Sequence, residues 1–93
     1  MITGFRDKET EKIWRGEVSR RLPRAIQEVA RRKLRMLNNA RNLEDLRVPP
    51  ANRLESLRGD RKGQYSIRIN AQRRVCFVWA AGNAGEVEIA DYH

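Results

Sequence analysis

Apolar and polar residues follow two different periods along this 93-residue chain. In the first half, apolar positions recur every three or four residues, as they do on one face of an α-helix. After residue 54 the period changes to two, which is typical of strands with one buried face. The pattern therefore predicts helices first and a meander of strands second.

The N-terminal part of the pattern predicts a short strand and two helices. Residues 2–5 are expected to form the strand, and Asp7 is placed to cap a helix over about Lys8 to Trp14. Pro23 suits the first turn of a second helix, which should run to about Asn39. The apolar residues of that helix are Ile26, Val29, Ala30, Leu34 and Leu37.

The remaining segments predict turns and short strands. One further helical turn is expected over residues 43–46, and Pro49-Pro50 should end helical structure because the residue before a proline is pushed toward extended geometry. A short strand is predicted over residues 54–57, followed by a turn over residues 58–63. Residues 82–85 are expected to form a hairpin loop between the last two strands.

Successive side chains of a strand point to opposite faces of the sheet, so odd and even positions predict which face each side chain occupies. The residues expected to face the helices are Tyr65, Ile67, Ile69, Val75, Phe77, Trp79, Val87 and Ile89. The opposite face should be open and polar and carry Arg68, Asn70, Arg74, Glu86, Glu88 and Tyr92. Helices on one face of a small antiparallel sheet make an α+β fold. With no linker or repeat in the sequence, we expect a single domain over residues 1–93.

Charge and composition narrow the class of function. The net charge of +8 is carried by 16 arginines and 4 lysines against 12 acidic residues, which favours a polyanionic partner. A single cysteine excludes an internal disulfide, and one cysteine with one histidine does not make a usual zinc site. The sequence has neither a membrane-length apolar run nor a signal-peptide pattern. We therefore expect a cytoplasmic protein that uses no metal or cofactor.

Four short blocks carry a resemblance to a known family. They are Leu57-Arg58-Gly59-Asp60-Arg61, Ser66-Ile67-Arg68-Ile69, Arg74-Val75-Cys76-Phe77 and Asp91-Tyr92-His93. Together they resemble the HigB branch of the RelE/ParE toxin superfamily, over essentially the whole chain. The resemblance implies the RelE/ParE-like microbial RNase fold and a toxin that cleaves messenger RNA in the A site of the 30S ribosomal subunit. It also implies a helix-turn-helix antitoxin as partner, with operator DNA bound only through the toxin–antitoxin complex.

The resemblance also implies a catalytic set. Arg58 and Arg74 match basic residues of the family, and Tyr92 and His93 match its terminal pair. RNA cleavage without a metal uses the substrate's own 2′-hydroxyl as nucleophile, so the enzyme must stabilise phosphorane charge and move protons. Arginines can stabilise that charge, whereas histidine titrates near neutrality and can transfer protons. The hypothesis is that the arginines hold the scissile phosphate while Tyr92 and His93 orient the nucleotide or move protons.

The chain departs from the family pattern at three positions. Some members carry a histidine where this chain has Glu55, and an arginine where it has Asn70. Arg73 replaces an aromatic residue, a change expected to affect packing at the start of a strand. Glu55, Asn70 and Arg68 are accordingly candidates for catalysis or RNA binding, with Glu55 a candidate base.

Two further interpretations stay open. A basic face on the second helix predicts contact with ribosomal RNA, or is simply a solvated surface; its residues are Arg24, Arg31, Arg32, Lys33 and Arg35. The same scaffold could also act as a ParE-like gyrase inhibitor without catalysis, or as a weakened toxin that mainly serves as corepressor with its antitoxin. An acid–base pair at residues 92 and 93 favours the endonuclease, because a gyrase poison does not need one.

Overall fold

The computed structural model describes residues 1–91, so the expectations for Tyr92 and His93 lie outside the described residues. The helices are α1 (Lys8–Trp14) and α2 (Arg24–Asn39). The strands are β1 (Glu55–Ser56), β2 (Gln64–Arg68), β3 (Arg73–Ala80) and β4 (Asn83–Asp91). They form one antiparallel sheet in the order β1-β2-β3-β4. The predicted α+β class, with helices preceding a strand meander, is confirmed.

Helix α1 begins where the sequence predicts, and α2 begins at Arg24, one residue after the Pro23 that was expected in its first turn. The carboxylate of Asp7 accepts a hydrogen bond from the backbone N–H of Thr10 at 3.3 Å, and this caps α1. Pro23 directly precedes α2, where its fixed φ leads into the helix without the loss of a hydrogen bond. The second helix ends at Asn39, as expected.

The core lies between the two helices and one face of the sheet. Phe77 lies at its centre, fully buried, with its ring centroid 6.2 Å from that of Tyr65 and 6.3 Å from that of Trp79. The other fully buried core residues include Ile13, Ala30, Leu34, Leu37, Ile67, Val75 and Val87. Apart from Ile13 on α1, these residues come from the predicted apolar face of α2 and from the predicted inner face of the strands, so both periodicities are confirmed.

The N-terminal segment is less regular than predicted. Residues 2–5 pair with β4 only through two isolated parallel bridges, Ile2 with Ala84 and Phe5 with Val87. The backbone N–H of Thr3 donates to the carbonyl of Ala84 at 2.8 Å. This segment therefore borders the edge of the sheet opposite β1 without forming a continuous strand.

The prediction that Pro49-Pro50 ends helical structure is wrong. A 3₁₀ turn over Leu43–Arg47 is followed by a second 3₁₀ turn over Pro50–Asn52. Pro49 is extended, as its position before a proline requires, but Pro50 at the first position of a turn loses no hydrogen bond. The N–H of Asn52 then donates to the carbonyl of Pro49 at 2.9 Å and closes the turn.

The hairpin between β3 and β4 is tighter than predicted. β4 already begins at Asn83, which leaves Ala81 and Gly82 as the turn, with φ of 52° and 78°. Two central residues with positive φ match the type I′ turn, whose twist suits a two-residue hairpin. A register shift between Cys76 and Val78 places Glu86 at an irregular point of β4 with a φ of 46°. Glu86 is exposed, but the simple alternation is interrupted here, because Ala84 and Val87, three residues apart, are both fully buried.

Among residues 1–91, no helix has the length and apolarity needed to cross a bilayer.

Candidate functional site

Arg74 is the centre of the candidate site. It lies on the sheet face opposite the helices, but loop residues cover it and only 5% of its surface is exposed. Its Nε donates to the hydroxyl of Ser66 at 2.7 Å, and its Nη2 donates to the carbonyl oxygen of Arg53 at 2.5 Å. A buried charge is tolerated only when its N–H groups find acceptors. These contacts therefore hold the guanidinium in a defined orientation.

Two neighbouring segments supply those acceptors. Ser66 is fully buried in β2, where it pairs with Cys76, the residue two positions beyond Arg74 on β3. Arg53 follows the second 3₁₀ turn and has φ 46° and ψ 58°, the left-handed region that non-glycine residues rarely adopt. This conformation accompanies the hydrogen bond between its carbonyl and Arg74. Backbone strain of this kind is found most often at functional sites.

Glu55 lies at the edge of the same site. Its Oε1 is 3.8 Å from Nη1 of Arg74, and 44% of its side chain is exposed. The separation is that of a loose ion pair without a direct hydrogen bond. A carboxylate is thus available beside a fixed guanidinium, with solvent access from the rim.

Two cavities flank Arg74. The larger, of about 300 Å³, is lined by Arg53, Glu55, Arg68, Asn70, Ala71 and Arg74. The smaller, of about 120 Å³, is lined by Leu57, Arg61, Arg74, Cys76, Ala90 and Asp91. The structure thus brings together four of the candidate residues named from the sequence, Glu55, Arg68, Asn70 and Arg74, around the larger cavity.

The turn before β2 places Arg61 at the candidate site, whereas the sequence blocks indicated Arg58. Arg58 is exposed at the start of the 3₁₀ turn Gly59–Arg61 and lines neither cavity. Arg61 lines the smaller cavity, and its Nη2 donates to Glu88 at 3.1 Å. That hydrogen bond raises the pKa of Arg61. Its buried Nη1 has no hydrogen-bond partner among residues 1–91. The signal was present in the Arg-Gly-Asp-Arg motif, but the motif alone does not say which arginine faces inward.

Asn70 and Arg73 both serve the turn between β2 and β3. The Oδ1 of Asn70 accepts hydrogen bonds from the backbone N–H groups of Gln72 and Arg73, each at 2.8 Å. Arg73 Nε pairs with Asp91 at 2.9 Å, which ties the start of β3 to the end of β4. Asp91, the last described residue of β4, is therefore held close to Arg74. Arg74 itself pairs with Ala90 on β4.

The five basic residues named on α2 fall into three groups. Arg24 and Arg35 are exposed on the outer side, whereas the half-buried Arg31 donates from Nε to the carbonyl of Ile13 at 3.1 Å, at the end of α1. Arg32 and Lys33 line a separate groove beside the β2–β3 turn. Only some of the predicted rRNA-contacting residues therefore share one exposed surface.

Comparison with known proteins identifies the class and then the family. The fold is consistent with the α+β fold of RelE-like toxins. The family model described as the RelE-like toxin of the type II toxin–antitoxin system HigB matches residues 3–93. Toxin HigB-1 of Vibrio cholerae serotype O1 is 42% identical over 85 residues, which cover 90% of each chain. An uncharacterized protein of Haemophilus influenzae is 38% identical over 74 residues, 78% of this chain and 73% of its own length.

The chain belongs to the HigB-like family of type II toxin–antitoxin toxins, as the sequence blocks indicated. Membership implies an antitoxin partner.

Proposed function

We propose that this toxin is an endoribonuclease that cleaves messenger RNA in the A site of the ribosome, with the substrate's 2′-hydroxyl as nucleophile. The observation that carries the proposal is the buried Arg74, oriented by Ser66 and by the carbonyl of Arg53 beside two cavities. A guanidinium fixed before the substrate arrives can stabilise phosphorane charge without reorganising during the reaction. Family membership supports the same activity.

The proposed roles follow from position. Arg74 holds the scissile phosphate, and Arg68 binds an adjacent phosphate across the larger cavity. Glu55 accepts the proton of the 2′-hydroxyl, because its carboxylate lies at the rim, 3.8 Å from Arg74. Tyr92 and His93 directly follow the end of β4 in the sequence and orient the nucleotide or protonate the leaving 5′-oxygen.

Arg61 joins the phosphate-binding set, with Arg58 as an outer contact. Arg61 shares the smaller cavity with Arg74, and its buried Nη1 has an unused N–H donor among the described residues. A phosphate oxygen in that cavity would accept a hydrogen bond from this nitrogen. Arg58 is exposed on the same turn, so it is suited to a more distant phosphate.

The proposal extends to partners and cellular location. The exposed residues Arg24 and Arg35 contact ribosomal RNA through phosphates, without reading sequence. A helix-turn-helix antitoxin neutralises the toxin, and operator DNA is bound through that complex. The protein acts in the cytoplasm as a single domain over residues 1–93.

The test is expression of the chain without its antitoxin, followed by mapping of the 5′ ends of translated messages. We expect growth arrest and cuts inside codons, and Arg74→Ala should lower cleavage by about 100- to 1,000-fold, as the loss of one preorganised donor does elsewhere. Arg74→Lys keeps the positive charge but loses the planar guanidinium and its paired N–H donors, so cleavage by this variant should also be impaired. Arg47→Ala is the matched control, because Arg47 pairs with Glu44 on an exposed turn away from the site.

The outcomes separate the three functions. Arrest with intact messages and damaged DNA would replace the endonuclease with a gyrase inhibitor. No arrest, together with retained antitoxin binding, would leave a corepressor. Equal cleavage by the wild type and by a folded Arg74→Ala variant would remove Arg74 from the catalytic set.

A further inference from the structure

A groove separates α2 from the turn between β2 and β3. It has a volume of about 260 Å³, and we call it the α2 groove. Its principal lining residues are Arg32, Lys33, Met36, Arg68, Ile69 and Asn70. None of the residues assigned above to catalysis comes from α2, so the proposed reaction does not by itself account for this surface.

The chemistry of the α2 groove suits a nucleotide. Three cationic side chains, Arg32, Lys33 and Arg68, line it, and its described lining includes no carboxylate. Met36 and Ile69 provide an apolar wall against which a base can pack. The ammonium of Lys33 is partly buried and donates to Asn52 at 2.5 Å. Burial, with Arg32 nearby, lowers the pKa of Lys33, and an anion in the groove would offset the repulsion between the two cations.

The α2 groove adjoins the Arg74 site. Arg68 and Asn70 line the groove and also the larger cavity that contains Glu55 and Arg74. Arg68 pairs in register with Arg74, so one cation of the groove lies directly beside the proposed phosphate site. A strand of RNA whose scissile phosphate lies at Arg74 can therefore continue past Arg68 into the α2 groove, whose described lining has no carboxylate.

From this continuity we infer that the α2 groove binds the message nucleotides on the 3′ side of the cut, with Arg32 and Lys33 on their phosphates. The inference rests on the proposed endonuclease function. The 3′ direction follows because the codon upstream of the A site is already paired with a transfer RNA, whereas downstream nucleotides are unpaired and can leave the decoding centre. An acidic segment of the antitoxin is the competing occupant, but it would not require a groove continuous with the Arg74 site.

The test combines one variant with two messages. Purified ribosomes carry a message that ends at the cleaved codon, or one that continues beyond it, and single-turnover cleavage is measured over a range of toxin concentrations. Arg32→Ala should lower the saturated rate on the long message by about 10-fold, as expected for one charge-assisted contact. It should have no effect on the short message. Arg32 is exposed, so the variant should fold, and its melting temperature provides the check.

Arg47→Ala is the matched control, since it removes the same charge from an exposed position outside the α2 groove, at a residue with no role in the proposed reaction. It should leave both the saturated rate and the toxin concentration needed for half-saturation unchanged on both messages. The inference is overturned if Arg32→Ala behaves like this control, or if it slows both messages equally. It is also overturned if Arg32→Ala leaves cleavage intact and weakens antitoxin binding. Failure of the wild-type toxin to cut either message would instead refute the proposed function itself.

Discussion

At the scale of single residues, the candidate site depends on how Arg74 is held. A guanidinium at the sheet surface would sample many rotamers, but this one is buried and bonded to Ser66 and to the carbonyl of Arg53. Ser66 is itself fully buried and contributes no charge. It therefore acts as a positioning residue, and its effect on the reaction should pass through Arg74.

Replacing Ser66 tests this role. Ser66→Ala leaves the Nε of Arg74 without its acceptor at 2.7 Å, which should cost about 1.5–3 kcal/mol of stability for a hydrogen bond to a charged group. The loosened guanidinium should also lower the saturated cleavage rate more than it weakens ribosome binding. Ser66→Thr retains the hydroxyl and should restore the rate, and Ser56→Ala on the exposed part of β1 is the control. A Ser66→Ala variant with wild-type cleavage would contradict the positioning role.

The candidate site was predictable in part. Strand parity placed Arg68 and Arg74 on one face, and β2–β3 pairing confirms that they are direct partners. The sequence could not show that Arg61, and not Arg58, lines a cavity, since that depends on the 3₁₀ geometry of the turn and on the bond to Glu88. Nor could the sequence reveal that the carbonyl of Arg53 accepts a hydrogen bond from Arg74, because every residue has a backbone carbonyl.

At the scale of elements, the segment between α2 and β1 differs most from its prediction. Two prolines indicated extended chain, yet a second 3₁₀ turn forms there and ends at the fully buried Asn52. The Nδ2 of Asn52 donates to the carbonyls of Leu46 and Val48, at 3.2 and 3.4 Å, and its Oδ1 accepts from Lys33. These side-chain hydrogen bonds, one of them with Lys33 on α2, therefore outweigh the extended preference of Pro49-Pro50.

Asn52 should accordingly stabilise both the fold and the site. Asn52→Ala leaves a partly buried ammonium and two carbonyls without this partner, which should lower the free energy of unfolding by about 2 kcal/mol. For a chain of this size that corresponds to a drop in melting temperature of roughly 8–16 °C. Cleavage should also fall, because Asn52 directly precedes Arg53, whose carbonyl accepts the hydrogen bond from Arg74. Thermal unfolding of the purified protein measures the effect, with Asn39→Ala at an exposed position as control. An unchanged melting temperature would contradict this account.

At the scale of the whole molecule, the two hydrophobic periods were sufficient to predict the architecture. The apolar spacing of α2 and the alternation in β2 and β3 select Leu34, Ile67 and Phe77, which are all fully buried. The alternation is interrupted at the exposed Glu86, because the irregular pairing between β3 and β4 inserts an extra residue between the buried Ala84 and Val87, at a point that one strand's sequence does not mark. Local patterns therefore predict the layers, whereas the register within the sheet depends on pairing between strands.

The net charge of +8 makes a prediction for the whole molecule in its proposed ribosome complex. Binding to RNA phosphates releases counterions, so the logarithm of the association constant should fall linearly with the logarithm of salt concentration. Arg24→Ala and Arg35→Ala should each reduce the magnitude of that slope by about 0.7–0.9, the value for one lost phosphate contact.

Arg15→Ala is the control, because Arg15 is already paired with Glu11 at 2.8 Å and should change the slope less. Ribosome co-sedimentation over a salt series provides the measurement. Equal slopes for all three variants would mean that the charge acts through the general field of the molecule, and the outer surface of α2 would then have no specific role in ribosome binding.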